Sequence, residues 1–324
     1  MTETTAEAPA SAPRAHAARR WARRVAPPVI VGAVLVALVR SAGPARVAAA
    51  LHEGHLAPLL PIALLVTAAV LPLVAMWDLV VLRAALGGGR FADVLRAKAA
   101  AAPLLILNSG AAGGAYALWI ARRLGARPVE AVGVVLYVVS SDLAAVSVVA
   151  LGAMLAGTTH VPLALRVLPA GCVAAVVGLA VLARAGVLRG RLGPLEVWRR
   201  VPLHRGLLQL AGRSFNNFLI VVAASAMAHA FGLAIPTLAI LGAMPFVLIA
   251  VNLPIVNIAG IGASQGAWVF FFSAWASPAE ILAFSFVWQL AMAMALVLRG
   301  LPFVRRVVAE IDEGRAATTA VAAG

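Results

Sequence analysis

The sequence predicts an all-α polytopic membrane protein with about six spanning helices, two re-entrant (broken) helical hairpins and an inverted repeat. Composition is the first reason: apolar residue types make up 63% of the 324 residues and charged ones 12%. A soluble domain carries about a quarter charged residues. Length is the second. Several apolar stretches reach the roughly 17 to 25 residues that cross about 30 Å of hydrocarbon, and together they nearly fill the chain from Val25 to Leu298. The third is the placement of charge. The formal net charge of +14 sits in short arginine clusters at the edges of apolar segments, which is the pattern of membrane topology rather than of a nucleic-acid surface.

Three regions follow: a basic disordered cytoplasmic tail over 1–24, a transmembrane domain over 25–303, and a second cytoplasmic tail over 304–324. The first tail is long for a secretory n-region and contains Glu3 and Glu7, so the segment after it reads as a retained helix. Cys172 is the only cysteine, which rules out an intrachain disulfide or a thiolate cluster. His52-Glu53-Gly54-His55 lacks the helical-turn spacing of a zinc site, and the other histidines are scattered, so no metal and no cofactor is expected. With no phosphate loop, nucleophile elbow or paired catalytic carboxylates, the chain does not read as an enzyme.

Arginine-rich loops orient the segments, because the cytoplasmic side retains Lys and Arg. Val25 to Val39 leaves the cytoplasm, Arg40 to Leu56 forms an external loop, and Ala57 to Leu82 returns to Arg83, Arg90, Arg96 and Lys98. Ala99 to Ile120 then has basic residues at both ends, with Arg122, Arg123 and Arg127 following it. Its centre, Asn108 to Gly114, contains Gly110 and Gly113 and favours helix poorly, since each glycine costs about 1 kcal/mol relative to alanine. A hairpin that enters and returns on the same side accounts for both facts. Val129 to Met154 runs out and Leu163 to Ala183 runs back to the basic loop Arg184 to Arg205, where Trp198 reads as an interfacial anchor. Leu207 to Phe231 goes out and Ala279 to Leu298 returns. Between them, Asn252, Pro254, Asn257, Gly260, Gly262 and Gln265 mark a second break, entered from the external face. Helix, broken hairpin, helix thus occurs twice with opposite sense, the arrangement of inverted-repeat transporters.

The run Asn252-Leu253-Pro254 through Gly260-Ile261-Gly262-Ala263-Ser264-Gln265-Gly266 resembles a stretch of the flippase-like family, the transmembrane region of lysylphosphatidylglycerol synthases and its stand-alone relatives. Asn108 to Gly114 followed by Arg122 and Arg123 resembles that family's Asn- and Gly-rich segment, and the similarity covers about Leu56 to Phe303. The resemblance implies a non-catalytic domain of about eight segments that moves or holds a polar-headed lipid between leaflets of the cell membrane. It implies lipid partners with anionic or aminoacylated headgroups and leaves room for an envelope-synthesis enzyme as a protein partner. In two places the chain departs from the family: Gln265 stands where an acidic residue is usual, and Ser140-Ser141-Asp142 lacks the arginine often seen there.

Among single residues, Asp142 falls midway along an apolar segment, where a carboxylate costs about 2.5 to 3.5 kcal/mol to insert and needs a cavity or a partner. Arg213, followed by Asn216 and Asn217, is open to three readings: partner of Asp142, ligand of a headgroup phosphate, or a side chain snorkelling to the cytoplasmic interface. Asp78 reads as interfacial and Glu280, after Ser277-Pro278, as a helix cap. The aromatic run Trp268 to Trp275 reads as lipid-facing packing and an interfacial belt. The substrate path is expected where the two breaks approach each other beside Asp142, with Arg213 at its cytoplasmic mouth.

Overall fold

Apolar runs with few internal charges, bounded by glycine or by proline at the first turn, fold here into long helices. The computed structural model describes residues 36–106, 109–157, 161–186, 193–251, 257–258 and 261–323. Five described helices are long and apolar enough to cross a membrane: α3 (Leu59–Leu86), α6 (Pro128–Leu155), α7 (Leu163–Arg184), α9 (Leu203–Phe231) and α12 (Pro278–Ala323). Shorter ones are α1 (36–42), α2 (Pro44–Glu53), α4 (Phe91–Ala101), α5 (Ser109–Arg123), α8 (Glu196–Arg200), α10 (Thr237–Val251) and α11 (Ala263–Phe272). The ends have local causes. Gly87 and Gly232 close α3 and α9 at φ of 74° and 108°, conformations that L side chains resist. Glu280 starts α12 by accepting from the Ser277 amide and hydroxyl at 2.8 and 2.6 Å, as its position after Ser277 predicts.

Several details differ from expectation. Residues 40–53 are mostly helical rather than an external loop, and α2 buries Val47 and Ala50 near the start of α12. The first break lies earlier than its glycines. Residues 102–106 form a short 3-10 turn, while Gly110 and Gly113 are helical within α5, and a Cβ on Gly113 would meet Val135 at 3.2 Å. Close packing on α6 thus overrides the weak propensity of that run. Helix α12 continues through the segment expected to be a tail. Trp198 is buried against Tyr137, with ring centroids 4.7 Å apart, rather than lying at an interface. In the aromatic run, Trp268 and Phe272 are buried beside Phe284, and only Phe270 is largely exposed. Most of the first segment, Val25 to Val39, lies outside the described residues.

Pairwise contacts fix the helix directions. At one end of the α3–α9 contact the His55 amide donates to Phe231 O at 3.2 Å; further along, Gly212 lies against the Trp77 ring and Arg213 pairs with Asp78. The two helices are therefore antiparallel. Helix α6 runs parallel to α9, since Gly206 meets Tyr137 and the Ser214 hydroxyl reaches Ala145 O at 3.4 Å. Arg200 draws three helix ends together, reaching Ala85 O at 3.4 Å and Glu130 at 2.9 Å. Phe231 and Phe284, 5.5 Å apart, bring the end of α9 to the start of α12. The far part of α12 lies on α4, where a Cβ on Gly300 would stand 2.4 Å from Ala99 O.

The packing has a regularity. Interchange of α3 with α9, α4 with α10, α5 with α11 and α6 with α12 carries α3–α12 onto α9–α6, α4–α12 onto α10–α6, and α5–α6 onto α11–α12. Helices α3 and α9, which pack on one another, have 28 and 29 residues. The α5–α12 contact is the exception, without a counterpart of similar extent between α11 and α6.

Candidate functional site: a charge network inside the bundle

Four helices each contribute one charged side chain to a single network. Arg213 of α9 is 1% exposed and Asp78 of α3 is 0% exposed, and the Arg213 Nη2 group donates to Asp78 Oδ1. Its other terminal nitrogen, Nη1, lies 2.6 Å from Asp142 Oδ1 on α6. Lys98 of α4 reaches the remaining Asp78 oxygen at 2.6 Å and sits 4.3 Å from the centre of the Tyr116 ring on α5. Two cations and two carboxylates make the network neutral. That balance is what makes such burial tolerable, since an unpaired charge in the same place is strongly destabilising.

Local sequence explains the approach of α9. Gly212 has no side chain, so the Trp77 indole lies where a Cβ would be, 1.9 Å from its Cε2. That contact draws α3 in and brings Asp78 to Arg213. Gln209, Arg213 and Asn216 follow at spacings of four and three residues, which puts them on one face of α9. Gln209 is 0% and Asn216 3% exposed, and the amide oxygen and nitrogen of both have no hydrogen-bond partner among the described residues. The same holds for Trp77 Nε1 and Arg213 Nε. Asn217 differs, donating to Arg213 O at 3.1 Å within its own helix.

Asp142 and Arg213 are thus brought together as one sequence reading had it, and the buried pairing removes the snorkelling alternative for Arg213. Asp78, read from sequence as interfacial, is fully buried between Arg213 and Lys98. Gln265 is buried but turned to its own helix, accepting from the Gly262 amide at 2.6 Å and the Ser264 hydroxyl at 2.9 Å. Gly262, at φ 138°, forms the turn that makes this cap possible after the two-residue pairing of 257–258 with 261–262. Gly110 and Gly113 lie on α5, Gly113 against Val135 of α6 and Gly110 exposed, and Asn257 is described only in its backbone. Asn108, Asn252, Pro254 and Gly260 lie outside the described residues.

Sequence reasoning missed Asp78, Lys98 and Gln209. The stripe 209, 213, 216 was a legible signal for Gln209, and Asp78 lies eight residues before the end of an apolar helix. Lys98 carried none beyond topology. No family model matches the chain, and no curated protein is significantly similar to it.

Proposed function

We propose that the chain binds and translocates a polar-headed lipid or lipid-linked substrate across the cytoplasmic membrane. The observation that carries this reading is the Asp78–Arg213–Asp142–Lys98 network, whose Arg213–Asp78 centre is enclosed in an apolar bundle where helices of the two similarly packed halves meet and whose Asp142 opens to the surface of α6. Ionisable groups inside a membrane bundle are expensive and generally mark a substrate or ion path.

The helix directions support the rest of the architecture. With 11 and 15 residues, α4 and α5 reach about 16 and 22 Å, short of the roughly 30 Å of hydrocarbon. They join α3 to α6 at the end marked by Arg200, so they are read as a hairpin that enters and returns there. Helices α10 and α11 play the same part at the opposite end, between α9 and α12. Two antiparallel repeats with broken elements are the architecture of many secondary transporters. The end that gathers Arg83, Arg96, Arg123, Arg184, Arg200 and Arg305 is taken as cytoplasmic, and with it the far part of α12; Arg19, Arg20, Arg23 and Arg24 support the same side for the N-terminal tail. Resemblance of the second break to the flippase-like family supports lipid as the substrate class, with anionic or aminoacylated headgroups, and a role without catalysis.

Reconstitution into liposomes with a headgroup-resolved leaflet assay tests this. Transfer of some headgroups above the protein-free rate is expected. Leaflet distributions equal to protein-free vesicles across a broad panel would contradict it and favour a membrane scaffold or accessory subunit of an envelope lipid or glycan synthesis enzyme.

A further inference from the structure

Around Arg213 the bundle holds hydrogen-bond donors that nothing answers. Arg213 Nε, Trp77 Nε1 and the side-chain amides of Gln209 and Asn216 are buried without a partner among the described residues. Gln209, Arg213 and Asn216 share one face of α9, and Trp77 of α3 packs beside them against Gly212. A hydrogen bond left unmade at a buried group is costly, so four such groups in one place call for an occupant. We propose that this α3–α9 seam is a binding site for a phosphate-type oxyanion, held by Arg213 with Trp77, Gln209 and Asn216, and that Asp142 is the counter-ion which the anion displaces. The proposal rests on the transport reading only for the source of the anion, a lipid headgroup or free phosphate.

Exposure separates the two carboxylates. Asp78 is 0% exposed and gripped by both Arg213 and Lys98, whereas Asp142 is 45% exposed and has Arg213 as its one ion-pair partner among the described residues. Asp142 is therefore the one free to swing away. A phosphate oxygen taking its place keeps the charge-assisted bond to the planar guanidinium and also engages the idle donors. Water could satisfy the two amides as well, but water does not compete with a carboxylate for Arg213, so the effect of Asp142 separates the two occupants.

The test is calorimetry on the purified full chain in neutral detergent and phosphate-free buffer. The probes are inorganic phosphate, short-chain phosphatidylglycerol, and a short-chain diacylglycerol glucoside as the phosphate-free lipid. At least one phosphate probe is expected to bind, and Asp142→Asn to tighten it by about threefold or more, because the competing charge is gone. Gln209→Leu and Asn216→Leu should weaken it while the melting temperature stays near wild type; they carry the test because Arg213→Gln strands Asp78. Binding of inorganic phosphate alone identifies free phosphate as the anion, and binding of phosphatidylglycerol alone identifies the headgroup. Equal binding of the glucoside and phosphatidylglycerol, or weaker or unchanged binding in Asp142→Asn, overturns the proposal. Leaflet transfer without phosphate binding overturns this proposal and spares the transport reading; binding without transfer does the reverse.

Discussion

Arg213 Nη1 stands 2.6 Å from the Asp142 carboxylate, yet Arg213 is sealed at 1% exposure and Asp142 is open at 45%. The pair joins the interior of α9 to a surface of α6, and on the other side of the guanidinium Asp78 continues it to α3 and Lys98.

Removing one member of the enclosed pair should be expensive. Asp78→Asn leaves Arg213 short of a charge at full burial and is expected to destabilise the protein by about 3 to 5 kcal/mol. In the double variant Asp78→Asn with Arg213→Gln the loss should be much smaller than the sum of the single losses. Thermal unfolding in detergent reads both, and additive losses would mean that the two residues do not act as a pair.

Gly212 sets the distance between α3 and α9. A methyl group there collides with the Trp77 ring, so Gly212→Ala should cost about 1 to 3 kcal/mol by overpacking. Trp77→Leu in the same chain should recover part of that loss. A Gly212→Ala protein that melts like wild type would mean that the seam is looser than described.

Gln265 caps α11 through one acceptor oxygen, shared by the Gly262 amide and the Ser264 hydroxyl. Gln265→Leu should destabilise by about 1 kcal/mol or more, whereas Gln265→Glu keeps the acceptor and should cost less. Melting temperatures of the two variants decide it; equal losses would remove the cap from the account.

The long helix α12 is tied to the first broken element by Glu310, which accepts from Trp119 Nε1 at 3.2 Å and lies 3.5 Å from Arg96. Glu310→Gln should raise hydrogen exchange in the amides of 303–313 and leave the amides of α9 as they were. Unchanged exchange in 303–313 would show that the link does not hold that turn.

Much of this organisation is written in local sequence. Long apolar runs, Gly87, Gly232 and the Ser277–Glu280 cap specify the long helices, and arginine clusters give their order of direction. Asp142 and Arg213 stand out because charge in an apolar run has few acceptable fates. Legibility fails where tertiary packing decides. Asp78 lies near a helix end, so its burial depends on Gly212 and Trp77, which meet only in the fold. The run Gly110 to Gly114 favours a break, yet packing on α6 keeps it helical. Trp198 has the composition of an interface anchor, and only Tyr137, far away in sequence, draws it inside. Lys98 carries no mark distinguishing a network member from a loop charge.

Sidedness is the simplest check on the proposed inverted repeat. In a chain with Cys172→Ser, single cysteines at Arg90 and Ala126 should both react with an impermeant reagent only from the cytoplasmic face. Labelling of the two from opposite faces would make α4–α5 a crossing and remove the inverted repeat.

Photo-crosslinking in membranes with a phospholipid carrying a photoreactive headgroup, mapped by mass spectrometry, asks most directly whether a lipid headgroup enters the bundle at Arg213. Adducts are expected on the α3–α9 seam, in the peptides around Trp77 and Gln209 to Asn216, lost on competition with unlabelled lipid. Adducts confined to α7, whose span is only 6% buried within the protein, with none on the seam, would contradict it.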